Sequence, residues 1–262
     1  MTVGINHVEW RIQSTTKPNK HKIKLSPKGL KIFDIIDLYR RKRKSYMTIQ
    51  EFEYLLNRVK IAYSQSSLKD KEYHYSLVGT QIKKHQPLII GLNWGGGKIE
   101  AQTVESYKNC LNEQTKFQDN IDMGSLSKIK PYLKEYSIFN YTTSHIGWTN
   151  YCFFRTPDEK ELMQNPDDLL LTNDIFFELI KLVKPSMILS FSSLLRDYLL
   201  KNSADVNFKI KDRYKAINEH GENKYNGLIG ELNGCDFYSL PHPVSRTGIF
   251  ARDFAWDYCF SK

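Results

Sequence analysis

Pro87-Leu88-Ile89-Ile90-Gly91-Leu92 is a short, continuously apolar stretch closed by a glycine and one more leucine. A strand with one wet face alternates apolar and polar residues, whereas an unbroken apolar run is what a parallel strand buried on both faces looks like. Three further strand candidates follow it: His145 to Phe154, Ser186 to Phe191 (SMILSF) and Asp236 to Leu240. Helical patterns lie between them. Thr172 or Asn173 opens DIFFELIKLVK, which stops at Pro185, and Ser192 or Ser193 opens LLRDYLLKN. Phe250, Phe254 and Tyr258 recur at four-residue spacing and predict a packed helix at the end of the chain. Alternation of this kind predicts an α/β fold, a three-layer α/β/α sandwich around a mainly parallel four-stranded sheet. Residues 208–233 read as a polar excursion or hairpin around Gly221 and Gly227.

Working back towards the N-terminus, the character changes. Residues 11–28 read as a basic, partly irregular arm. Ser26-Pro27 signals a helix start, Leu30 to Leu38 supply an apolar face, and Arg40-Arg41-Lys42-Arg43-Lys44 end it. Thr48 with Glu51 three residues later has capping-box spacing. Phe52, Leu55, Leu56 and Val59 then recur near the helical period. The chain is therefore expected to divide into a basic, mainly helical extension over 1–85 and an α/β domain over 86–262.

Lys and Arg number 38 against 29 Asp and Glu in 262 residues, a formal net charge of +9, much of it in the extension. That favours a polyanionic partner and says nothing about fold. Hydrophobic residues at 40% exclude a wholly disordered chain. Cys110, Cys152, Cys235 and Cys259 are widely spaced, with no CxxC pair, which argues against a zinc ribbon or a disulfide scaffold. No apolar run approaches the roughly 20 residues of a membrane span, and the N-terminus lacks a basic region followed by an apolar run. The expectation is a cytoplasmic protein with no membrane association.

In open parallel sheets, ligands bind at the carboxyl ends of the strands. After the first strand comes Gly91-Leu92-Asn93-Trp94-Gly95-Gly96-Gly97. At the second stand Thr149-Asn150, with Arg155 and Pro157 beyond. After the fourth comes His242-Pro243-Val244-Ser245-Arg246. No GxSxG elbow, Walker A or GxGxxG pattern is present, and these loops offer too few clustered His and carboxylates for a metal. Each polar residue also has a plain structural reading: Asn93 capping a turn, Asn150 a buried amide, His242 satisfied by backbone, Arg155 paired with a carboxylate.

Taken together, in order, the segments resemble the uracil-DNA glycosylase superfamily over roughly residues 87–260. GLNWGG is similar to its first motif, Thr149-Asn150 followed by Arg155-Thr156-Pro157 to its middle motif, Lys184-Pro185 before SMILSF to its third strand, and His242-Pro243-Val244-Ser245 to its last motif. Two positions depart: Trp94 stands where proline is usual, and Ser245 comes one position late. The cysteines lack the spacing of the iron–sulfur branch, so no cofactor is expected. The resemblance implies that Asn93 positions water, that Asn150 reads the edge of a flipped base, and that His242, as a neutral imidazole, stabilises the departing base. Gly91 and Gly95 would let backbone approach the substrate. Trp94, Phe117 or Tyr107 would stack on the base. Ser245, Arg246, Arg155, Arg41 and Arg43 would contact DNA.

The implied activity is that of a monomeric DNA glycosylase, acting on duplex or single-stranded DNA and removing a damaged, deaminated or modified base to leave an abasic site. The departures suggest an unusual substrate. The alternative is a non-catalytic nucleic-acid or nucleotide-binding module on the same fold, and a third reading is cleavage of free nucleosides.

Overall fold

The apolar run at 88–91 forms strand β1 (Leu88–Gly91), buried along its whole length. The structure, a computed structural model, describes residues 46–95, 100–112, 124–138 and 147–261. The helix expected over 30–38, the basic cluster with Arg41 and Arg43, Gly96, Gly97, Phe117 and His145 lie outside the described residues.

β1 pairs in parallel with β2 (Gly147–Asn150) on one side and with β3 (Met187–Ser190) on the other. A long antiparallel hairpin, β4 (Phe208–Ile217) and β5 (Asn223–Leu232), precedes β6 (Cys235–Ser239). β6 runs parallel to β3 and antiparallel to β5. The result is a six-stranded mixed sheet of order β2-β1-β3-β6-β5-β4. The four expected strands are its parallel part. The expected strand number is corrected by the hairpin, which extends the same sheet instead of leaving it.

The helices follow their caps. Thr48 and Glu51 form the capping box at the start of α1 (Ile49–Gln65): Thr48 Oγ1 accepts from the Glu51 N–H, and the Glu51 carboxylate accepts from the Thr48 N–H. α2 (Val104–Asn112), α3 (Lys130–Glu135) and two single turns, α4 (Glu159–Leu162) and α5 (Asp167–Leu170), lie between the strands. α6 (Asn173–Val183) stops at Lys184, whose φ of 47° breaks the helix just before Pro185. α7 (Ser193–Lys201) is capped by Ser192 Oγ, which accepts from the Leu195 N–H. α8 (Ile249–Phe260) ends the chain. Its buried residues are Ala251, Ala255, Trp256 and Cys259, while Phe250 is exposed. The helix is packed as expected: Phe254 and Tyr258 lie half-buried against the same cluster as Trp256, and of the three spaced aromatics only Phe250 is exposed.

Adjacent residues of the strands enter separate apolar clusters. Leu88, Ile90, Ile188, Leu228 and Phe237 join one with α1, α6 and α7, whereas Ile89, Leu189 and Leu240 join another with α3 and α8. A bulge between Ile210 and Asp212 shifts the parity of β4, so Phe208 enters the first cluster and Tyr214 the second. Phe52, Leu55 and Val59 of α1 belong to the same cluster as Leu88 and Ile188. The core therefore runs across residue 85, where the extension was expected to end.

Phe52 is fully buried and stacks on Tyr107 with ring centroids 4.0 Å apart. Phe52→Ala is expected to cost about 3–5 kcal/mol, read from urea unfolding of the full chain. A loss near zero would mean that α1 is not part of the core.

Candidate functional site

The four parallel strands end on one side of the sheet, at Gly91, Asn150, Ser190 and Ser239. Backbone bonds carry the alignment past these ends: Tyr151 N–H donates to Gly91 C=O at 3.0 Å, Phe191 N–H to Ile90 C=O at 2.8 Å and Leu240 N–H to Ser190 C=O at 2.8 Å. Residues that follow the strands are thereby delivered to a common end.

Asn150 stands opposite Gly91 in the β1–β2 register and is 2% exposed. A Cβ built on Gly91 would lie 2.1 Å from Asn150 Oδ1. Gly91 is therefore a glycine because the neighbouring amide occupies the place of a side chain. Its part in the site is to seat Asn150, not to approach a substrate. Gly95 is exposed, and a Cβ there would meet nothing within 4 Å.

Two residues past β1, Asn93 Nδ2 donates to Thr156 Oγ1 at 2.6 Å, and that hydroxyl donates to the Asp158 carbonyl at 2.7 Å. The relay holds the amide with its nitrogen turned to Thr156, which leaves the Asn93 carbonyl oxygen as the acceptor end. Thr156, fully buried, is a member of the site that sequence reading missed. Its only signal is the hydroxyl residue between Arg155 and Pro157.

His242 follows β6 after Leu240-Pro241. The Ser245 N–H and hydroxyl both donate to the His242 carbonyl, at 2.9 and 2.7 Å, and the Val244 N–H approaches His242 Nδ1 at 3.4 Å. Burial pushes the imidazole below the ordinary histidine value. Burial thus favours the neutral ring, and the Val244 N–H against Nδ1 favours the tautomer with its hydrogen on Nε2. Ser245, expected at a DNA phosphate, spends its hydroxyl proton on closing this turn and also bonds Thr247 Oγ1 at 2.6 Å. Arg246 is exposed. Val244, Ile249 and Phe250 are exposed apolar side chains on the same loop and helix start, at 50%, 67% and 48%. Sequence reading passed over this exposed group.

β3 separates β6 from β1, so His242 arises two strand spacings from Asn93, about 10 Å. Phe191 and Ser192, both buried, follow β3 in between. Two cavities among the described residues are lined by other side chains than Asn93, Asn150 and His242. One of about 350 Å³ adjoins Pro243 and Ile249, and one of about 510 Å³ lies at the opposite end, near Lys184 and Cys235.

The stacking candidates resolve differently. Tyr107 is fully buried against Phe52 and donates its hydroxyl to the Met47 carbonyl at 2.8 Å, so it is core. Trp94, 5% exposed, packs on Trp148 with ring centroids 4.8 Å apart, under the Arg155 guanidinium at 5.9 Å. It offers no open face for a base. Arg155 donates to Ser76 Oγ at 2.8 Å, and burial lowers its pKa. No carboxylate pairs with it among the described residues. The Cys152 thiol is fully buried and pushed up to about 12, which makes it unreactive at neutral pH.

Two outcomes are expected from this geometry. Gly91→Ala should cost about 1–3 kcal/mol by crowding Asn150, and the double variant Gly91→Ala/Asn150→Ala should lose less than the two single losses combined. Urea midpoints of the four proteins check this. For His242, the folded value is depressed, so the unfolded chain takes up the proton first as pH falls. Stability is then lost below about pH 6.5. His242→Gln should flatten that part of the profile, measured as urea midpoints at about pH 7.5 and about pH 5.5.

No protein-family model matches the chain, and no curated protein matches it.

Proposed function

We propose that this chain is a DNA glycosylase, a divergent member of the uracil-DNA glycosylase superfamily with a three-layer α/β/α architecture. In this reading it acts on DNA inside the cell as a monomer, without a cofactor. The observation that carries the reading is the delivery of two amides, Asn93 and Asn150, and a neutral imidazole, His242, to one end of a parallel sheet. The two clusters on alternate strand residues support the layered architecture.

The chemistry asks for little acid–base power. The C1′–N bond breaks with its electron pair leaving on the base, and a sugar of oxocarbenium character remains. His242 Nε2–H stabilises the charge that develops on the departing base. Asn150, rigid against Gly91, presents one donor and one acceptor to the flipped base edge. Asn93 accepts a hydrogen bond from water and holds it near C1′. The water oxygen bonds to C1′ and its proton passes to solvent. An amide orients water and does not deprotonate it, which suits a transition state already rich in positive charge. Val244 and Arg246, both exposed beside His242, are placed for the gap left in the stack, where apolar wedges commonly insert.

The test is incubation of the full chain with oligonucleotides carrying uracil, mismatched thymine, hypoxanthine or modified cytosines, scored as alkali-labile abasic sites. Release from at least one is expected, with His242→Ala lowering the rate about 10²–10³-fold. No release from any of them overturns the reading for those bases, and binding that survives Asn93→Ala and His242→Ala without release favours a non-catalytic module.

A further inference from the structure

Among the described residues, four buried side-chain nitrogens have no hydrogen-bond partner, and three of them occur together: Trp94 Nε1, Trp148 Nε1 and Arg155 Nε. The two indoles are in contact and the guanidinium lies over the ring of Trp94. All three groups are donors only, so they cannot satisfy one another. Ser76 Oγ accepts from Arg155 Nη2 at 2.8 Å, which leaves Arg155 Nε without a partner. Such an arrangement costs free energy unless something completes it.

The arrangement is held, not loose. The Trp148 ring lies across Gly79, where a Cβ would come within 2.0 Å of it, and the Gly79 N–H donates to the Trp148 carbonyl at 3.0 Å. Arg155 is fixed at its backbone, where its N–H donates to His74 C=O at 3.0 Å and it bridges to Trp94. Trp148 and Arg155 are each half-buried, while the three nitrogens themselves are buried.

What completes three donors and one positive charge is an acceptor carrying negative charge. Arg is suited to planar, forked recognition of phosphate oxygens. We infer that Arg155, Trp94 and Trp148 form an oxyanion pocket that takes a phosphate group next to Asn93 and Asn150. The neighbourhood is given by the chain: Trp94 follows Asn93, Thr156, which holds Asn93, follows Arg155, and Trp148 is two residues before Asn150 on the same strand. The inference rests on the nucleotide reading above only for the source of the phosphate, as the diester flanking the base that Asn150 reads.

The experiment titrates the full chain with inorganic phosphate at an ionic strength balanced by chloride, following indole emission. A saturable change is expected in wild type and in Lys181→Gln, a control at the far end of the sheet. Trp148→Phe, which keeps a ring and removes the N–H, should weaken it, and Arg155→Met should weaken it about tenfold or more. Arg155→Met should also unfold at the same or a higher urea concentration than wild type, because it removes a half-buried charge that has no carboxylate partner among the described residues. A marked loss of stability would instead mean a structural partner and overturn the inference. Oligothymidylate as a second probe separates the sources: competition with phosphate assigns a backbone diester, and a phosphate response untouched by oligothymidylate assigns a free phosphate. No saturable response to either, or an unchanged response in Arg155→Met, overturns the pocket. A wild-type protein that releases no base yet keeps the phosphate response overturns the glycosylase reading and leaves the pocket standing.

Discussion

The register of β1 between its two parallel neighbours is the constraint from which the rest follows. Gly91 lies opposite Asn150, and Ile90 lies opposite Ser190. Side chains on a strand alternate with period two, so a slip by one residue would turn Asn150 away from Gly91 and exchange Ile89 with Ile90 between the two apolar clusters. The space beside Gly91, which only an absent Cβ provides, pins the register at the one position where the site needs it. Core packing and site geometry are therefore set by the same pairing. The loops beyond inherit their positions from it, because backbone bonds continue past the strand ends.

The chemistry concentrated there is unusually neutral for a chain of net charge +9. The amides and the imidazole exert force through placement, and a dry surrounding strengthens each hydrogen bond they make. The buried carboxylate of Asp168 is bound to the Ser67 N–H and hydroxyl, so it serves as a structural pin. Arg155 stands apart as a half-buried charge with no carboxylate partner among the described residues.

Much of this was legible in the sequence, for local reasons. Thr48 with Glu51, Ser192, and Pro185 after Lys184 act within one helical turn, and their caps and stops appear where the residue types require. β1 is short and wholly apolar and β3 is apolar up to its last residue, which little else produces. The hairpin was harder to place: β4 reads FKIKDRYKAI, its outer residues are exposed, and its bulge breaks the alternation. The helix at the chain end was legible from Phe254 and Tyr258, which pack on the core, whereas Phe250 is exposed and the buried Ala251 and Ala255 carry no such signal. In the site, Asn93, Asn150 and His242 were found from their distance to strand ends. Thr156 was not, because its hydrogen bond to Asn93 joins residues far apart in sequence. Nor can a sequence reveal that Arg155 has no carboxylate partner among the described residues, since that depends on every neighbour at once.

The charged face of β4 has a consequence of its own. β4 is the last strand of the sheet, and Lys209, Lys211, Arg213 and Lys215 are exposed along it. An unpaired strand offers free N–H and C=O groups to any extended chain that drifts by, and lysines there make a second strand unwelcome. At the other margin, residues 76–79 bond to the backbone of Phe153 and Trp148 beside β2. Lengthening by strand addition is thus opposed by like charge at one margin and by covering backbone at the other. Among the described residues, neither margin of the six-stranded sheet is a bare template for a further strand.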